Sequence, residues 1–301
     1  MFILINFNLI NKRKKLGLGM GKIGIIGGSG LYSMEFKNAE WLDVDTHWGK
    51  PSDQVLRGNL DGVEINFLPR HGRGHIYSPT TVPYKANIAA LKKCGVEQII
   101  SFSACGSLNK RMAPGDFVVV SQYIDRTVQR DKSFFGTNCV AHISLADPTC
   151  LDQNSLIVSA AKNTDITVFP SGTYLAMEGP QFSTLAESLL YKDNWGCDVI
   201  GMTNVPEMNL AREAQICYSS VAMVTDFDCW HEGHDAVTVA DIIKVMQQNV
   251  DNSQKLLKAI IAASGQDDHR CQQGCQQSLK YALITAQEKR DDSVLKALDI
   301  L

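Results

Sequence analysis

Between Lys22 and Thr225 short apolar runs alternate with longer stretches in which apolar residues recur every three or four positions. Short runs bounded by Gly, Ser or Asp read as strands, and the periodic stretches read as amphipathic helices. Strands are expected at Lys22–Ile26, Val63–Leu68, Gln98–Phe102, Asp116–Val120, Ser171–Met177, Val199–Met202 and Ser219–Thr225. Helices are expected at Pro83–Cys94, Leu151–Asn163, Ser183–Asn194, Pro206–Gln215 and Val239–Ala263, with a weaker pattern at Gln276–Gln287. Pro83 and Gly95 suit a helix start and stop, and Ser183-Thr184-Leu185-Ala186-Glu187 places hydroxyls at a cap and an acid in the first turn. The alternation predicts an α/β fold: a single domain with a central mixed, largely parallel twisted sheet flanked by helices.

This pattern covers residues 20–264. Residues 265–301 are richer in Gln, Asp and Lys, and are expected to pack on the outside of the domain or on a neighbouring subunit. Residues 1–19 are apolar with Asn interruptions, and their positive charges follow the apolar part. That order is wrong for a secretory signal, so the segment reads as a disordered extension outside the fold. With 301 residues, 45% hydrophobic and 20% charged, the chain has the makings of a sizeable core. A net charge of −3 without a long basic stripe gives no footprint for nucleic acid. No apolar stretch approaches the ~20 residues of a membrane span. The nine scattered cysteines suggest free thiols in a reducing compartment.

The chemistry concentrates at strand ends. Thr225-Asp226-Phe227-Asp228 closes the apolar run Ser219 to Val224, and strand alternation would send Asp226 and Asp228 to the same side. A lone D-x-D pair is most often a solvated loop. Two carboxylates held close, however, cannot both ionise cheaply, so one keeps a proton near neutral pH. Such a pair can donate to N7 of an adenine and accept from its exocyclic N6.

Gly27-Gly28-Ser29-Gly30-Leu31 follows the first strand and offers backbone N–H groups and a hydroxyl to an anion. It does not match the dinucleotide fingerprint, because the third glycine position is Ser33. Arg70-His71-Gly72 follows the second expected strand, Ser103-Ala104-Cys105-Gly106-Ser107 the third, and Thr203 the strand Val199–Met202. Each is ordinary by itself. Their shared location at carboxyl ends of strands, where α/β ligands gather, makes a phosphate site.

Together with Met177-Glu178-Gly179-Pro180 and Met202-Thr203-Asn204-Val205-Pro206-Glu207, these motifs make the chain resemble the methylthioadenosine phosphorylases, the adenine-specific branch of the trimeric purine nucleoside phosphorylases. The resemblance spans residues 21–263. It implies orthophosphate among Ser29, Arg70, His71, Ser103, Ala104 and Thr203, with Met202 under the ribose, Phe182 on the base, and Asp226 and Asp228 at the N6/N7 edge. It further implies a homotrimer in which His142 enters a neighbour's site. The implied reaction is phosphorolysis of 5′-methylthioadenosine, with phosphate as co-substrate, no cofactor, no metal, no nucleic-acid or membrane partner, and a cytoplasmic, also nuclear, location. On this reading Asp226 donates to N7 while Asp228 supports it and accepts from N6.

Val239, Ile242 and Ile243 share one helical face, and that face carries no histidine between Ala236 and Met246 to serve a 5′-hydroxyl. An apolar face suits a 5′-methylthio group, as well as simple core packing. An adenosine-preferring phosphorylase, a water-using nucleosidase and a catalytically weak purine-binding subunit remain alternatives. Gln181 and Leu185 stand where the resembled family has arginines, and Ser103 where it usually has threonine. Cys105 reads as a packed thiol. His231 and His234 flank Trp230 in a loop near the acids. His269, Cys271 and Cys275 have a loosely metal-like spacing but supply three ligands without a fourth.

Overall fold

The computed structural model describes residues 22–28, 36–231, 239–264 and 271–300, with the backbone alone for 239–243. The proposed extension 1–19, Ser29, His234 and His269 lie outside the described residues.

Among these residues eleven strands form one sheet. They are β1 (Lys22–Gly27), β2 (Lys37–Leu42), β3 (Val55–Leu60), β4 (Val63–Pro69), β5 (Val96–Ser107), β6 (Phe117–Val119), β7 (Gln122–Asp125), β8 (Val168–Phe169), β9 (Thr173–Ala176), β10 (Val199–Gly201) and β11 (Cys217–Asp226). Pairing is parallel for β1 with β4 and β5, β5 with β11, and β9 with β7 and β10. The β2-β3-β4 meander is antiparallel, as are β5 with β10 and β6 with β11. The mixed, largely parallel sheet expected from the sequence is thus the one observed.

Four strands escaped the apolar pattern. β2 is almost wholly exposed and β7 half exposed, so backbone pairing at the sheet margin defines them, not burial. The two-residue β8 is too short to register. β3 had a legible signal: Asp61-Gly62, with φ of 51° and 92°, makes the tight turn that pairs Leu60 with Val63.

Helices α1 (Tyr84–Lys93), α2 (Leu151–Ala161), α3 (Leu185–Leu189, continued as a wider turn over Leu190–Asn194), α4 (Glu207–Glu213), α5 (Val239–Ser264) and α6 (Ser293–Ala297) cover the sheet. Thr184 caps α3 reciprocally with Glu187, the role its hydroxyl suggested. Ile25 and Phe67 pack with Ile157 of α2 and Leu256, Leu257 and Ile260 of α5. Their neighbours Ile26 and Leu68 point the other way, onto Ile88 and Leu91 of α1 and Leu210 of α4. A period of two along the strands therefore builds a helix-sheet-helix sandwich.

The helix expected over Gln276–Gln287 is not formed. A 3-10 turn occupies Cys275–Gln277, and the chain then extends to bridge Leu283 to Ala141. Its apolar residues Leu279 and Ala282 insert into the α1 cluster, as do Leu295 and Leu298 around α6. Tertiary burial of those side chains overrides a weak helical period.

Candidate active site

The cavity of the site opens where β5 changes partners. Its first half lies between β1 and β11, whereas Gly106 and Ser107 pair with β10. The strands therefore splay at their carboxyl ends, as at a switch point in an α/β sheet. The opening, about 320 Å³, is lined by Gly28 after β1, Arg70 and His71 after β4, Ser103 to Gly106 of β5, Met202 and Thr203 after β10, and Thr225, Asp226 and Asp228 of β11 and its turn.

The acids meet by a different route from simple alternation. β11 ends at Asp226 with a bulge after Val224, and Asp228 lies in the following turn with φ 51°. Asp226 Oδ1 accepts from the Asp228 backbone N–H at 2.8 Å, which folds the second acid back over the first. Asp226 Oδ2 accepts from Thr225 Oγ1 at 2.7 Å, and Asp228 Oδ2 accepts from Ser188 Oγ at 2.5 Å. Burial pushes the Asp228 carboxyl above the usual carboxylate range; the Ser188 hydrogen bond opposes this and the charge of Asp226 adds to it. Gly106 backs both acids: a Cβ there would lie 3.0 Å from Asp226 Oδ1 and 3.4 Å from Asp228 Cβ.

Arg70 is only 1% exposed. Its Nε and Nη2 donate to both Glu207 oxygens at 2.8 and 3.1 Å, Nη1 to the Phe102 carbonyl at 3.0 Å, and Nη2 also to Ser101 Oγ at 2.5 Å. Among the described residues these bonds engage four of its five N–H donors, the fifth being on Nη1. Burial would raise the Glu207 carboxyl, but Arg70 and the hydroxyls of Ser101 and Tyr218 hold it below the usual range. Glu207 falls within one of the resembling motifs, but its part as a clamp for Arg70 is not legible in the sequence, since 137 residues separate the two.

His71 Nδ1 donates to the Tyr77 carbonyl at 2.9 Å, leaving Nε2 as an acceptor in the neutral ring. Burial and the Arg70 charge push its pKa down to about 4. Ser103 is buried, and among the described residues its Oγ has no hydrogen-bond partner. A buried hydroxyl on a cavity wall without a partner is an unsatisfied donor awaiting an acceptor.

Phe182 lines the mouth and is 77% exposed, with Gln181 and Leu185 exposed beside it. Val239, Ile242 and Ile243 fall in α5, but their side chains lie outside the described residues. The next turns of the same face, Met246, Asn249 and Val250, line the cavity. Sequence reasoning stopped one turn short of them, although the same period continues. Glu178 serves the rim: burial would raise it, but hydrogen bonds from Val128, Thr80, Gln129 and Arg130 bring it to about 2. His142 is exposed and absent from the cavity wall of its own chain.

Residues 22–262 match the family model of the phosphorylase superfamily. The chain is 57% identical to the S-methyl-5′-thioadenosine phosphorylase of Cereibacter sphaeroides, over 92% of this chain and 96% of the relative. It is 47% identical to the Geobacter sulfurreducens protein of the same name, over 93% and 97%. A methylthioadenosine phosphorylase from an antarctic soil metagenomic library superposes with a TM-score of 0.87 at 43% identity, covering 93% of this chain and 99% of the other. The Schistosoma mansoni methylthioadenosine phosphorylase in complex with adenine gives a TM-score of 0.80 at 34% identity, covering 91% and 100%.

Proposed function

Since the chain belongs to the phosphorylase superfamily, we propose that it phosphorolyses 5′-methylthioadenosine to adenine and 5-methylthioribose 1-phosphate. One observation carries this reading: the Ser103 hydroxyl, without a hydrogen-bond partner among the described residues, shares a cavity with the buried Arg70 and the Asp226–Asp228 couple. An anion binder and a purine-edge binder thus face one volume. The C1′–N9 bond breaks as a phosphate oxygen bonds to C1′, and a proton passes to adenine N7. These changes balance without a redox or hydride step, so the reaction needs no cofactor.

Phosphate is a weak nucleophile, so the enzyme gains most by positioning it and stabilising the leaving group. In this reading Ser29, Arg70, Ser103, Ala104 and Thr203 hold the anion, and neutral His71 accepts from a P–OH. Arg70 stays rigid because Glu207 holds two edges of its fork. Asp226 faces N7 and Asp228 faces N6, with one proton shared between them. Burial raises the Asp228 carboxyl above the usual carboxylate range, and the charge of Asp226 adds to that. A 6-oxopurine would set O6, an acceptor, against these acids and be rejected.

Met202 lies under the ribose and Phe182 over the base. The α5 face carrying Val239, Ile242 and Ile243 continues through Met246 and Val250, which supports an apolar 5′ substituent. We place Gln181 and Leu185 at the mouth as substitutions that tune affinity rather than reaction type. Exposed Ile76, Val128, Phe182, Leu185 and Leu189 leave apolar area near the rim. That area supports a homotrimer in which His142 enters a neighbour's site. Free thiols favour a cytoplasmic location.

Adenine release from methylthioadenosine, adenosine and inosine, each with and without phosphate, tests the reading. Release should require phosphate and be fastest with methylthioadenosine. Release without phosphate would make the chain a nucleosidase, and equal turnover of inosine would refute the role of the acids.

A further inference from the structure

Away from the cavity, four cysteines from three parts of the chain converge. Cys150 precedes α2, Cys217 opens β11, and Cys271 and Cys275 belong to the C-terminal segment. Their four sulfur atoms all lie within 4.8 Å of one another. Cys150 Sγ and Cys271 Sγ are 3.8 Å apart. A tetrahedral zinc with Zn–S bonds of ~2.3 Å sets its sulfurs about 3.8 Å apart. Three of the four side chains are buried and Cys271 is half-buried, so the group is closed to substrate.

The local backbone fits a metal knuckle. Cys271 and Cys275 are separated by three residues, within the spacing of paired zinc ligands. Gly274 adopts φ 71°, a left-handed turn that lets Cys275 fold back beneath Cys271. The Cys275 N–H donates to Cys271 Sγ at 3.4 Å, and Gln276 Nε2 to Cys217 Sγ at 3.9 Å. Such N–H···S bonds stabilise thiolate ligands and fix their orientation. The turn is also docked: Gln273 Oε1 accepts from the Leu151 N–H at 2.5 Å, and the Gln272 N–H donates to Asp152 Oδ2 at 2.7 Å. The three-ligand set of His269, Cys271 and Cys275 is thereby superseded, because Cys150 and Cys217 complete a set from distant sequence.

We propose that Cys150, Cys217, Cys271 and Cys275 bind one structural zinc ion that pins the C-terminal segment to the start of β11 and the head of α2. With four protein ligands the ion has no open position, and takes no part in the reaction. Its work is to hold residues 271–300, whose Leu283 pairs with Ala141 next to His142.

The test uses the full-length protein expressed with zinc, then dialysed against a chelator. Elemental analysis should find about one zinc per chain, released by a thiol-specific mercurial. Cys271→Ser with Cys275→Ser should lose the zinc and expose residues 271–300 to limited proteolysis. Should that variant fail to fold, cobalt exchanged into the wild-type protein gives a second readout, the intense visible bands of a tetrahedral tetrathiolate. A metal-free wild-type protein in which Cys150, Cys217, Cys271 and Cys275 are all titratable thiols would overturn the proposal. So would a disulfide among these four cysteines in an unreduced peptide map, or zinc retained when all four are replaced by serine.

Discussion

The two ends of β11 differ in what they leave unsatisfied. At its carboxyl end stand Asp226 and the turn to Asp228, beside a cavity whose Ser103 hydroxyl has no partner among the described residues. At its amino end Cys217 sits 1% exposed among three other sulfurs. One end keeps polar groups pointed into open volume; the other has closed its donors onto one another. An open end with unmet hydrogen bonds suits a ligand that comes and goes, whereas a closed end suits a permanent fastening. Changes at the first should therefore alter turnover, and changes at the second should alter stability.

The largest effect is expected from Asp228→Asn and Asp226→Asn. Each should lower kcat with methylthioadenosine by ~10²–10⁴, the usual worth of a positioned acid. Phosphate KM should shift little. An unchanged rate in both variants would end the resemblance between this strand end and a catalytic couple.

Arg70→Ala strands the buried Glu207 carboxylate and should destabilise the fold by ~3–5 kcal/mol, besides raising phosphate KM. Urea unfolding beside steady-state kinetics checks both parts. A fall in phosphate affinity alone would show that Glu207 is solvated after all.

His71 bears on pH dependence. Its folded pKa of about 4 lies below the unfolded value of about 6.5, so the fold binds fewer protons than the unfolded chain. The neutral ring is favoured above that range, and stability should decline as pH falls from about 6.5 toward 4, by on the order of 3 kcal/mol. Urea titrations across this window should show that slope in the wild type and a flatter one in His71→Asn.

Ser103→Ala is the mildest and sharpest contrast. Removing an unsatisfied buried hydroxyl should leave the melting temperature unchanged or slightly raised, yet weaken phosphate binding by ~0.5–1.5 kcal/mol. A lowered melting temperature with unaltered phosphate KM would mean that the hydroxyl serves the fold and not the anion.

Much of the fold was readable because burial repeats with fixed periods. The strands β1, β4, β5 and β11 are buried along most of their length around short apolar runs, and helices α1, α2 and α5 carry regular apolar faces. Edge strands such as β2 bury nothing of their own, so no apolar signal marks them. The helical period over Gln276–Gln287 proved weaker than the gain from inserting Leu279 and Ala282 into the core.

Local sequence alone determined which side chains end the strands: Arg70 and His71 after β4, Ser103 within β5, and Asp226 and Asp228 on β11 and its turn. Strand order, the Arg70–Glu207 clamp across 137 residues and the convergence of Cys150 and Cys217 on the Cys271–Cys275 turn were decided only by the folded chain. The reason is one of range. Alternation and turn chemistry act between neighbours along the chain, while ligand sets and ion pairs depend on distances that exist only after the sheet has closed and its helices have docked.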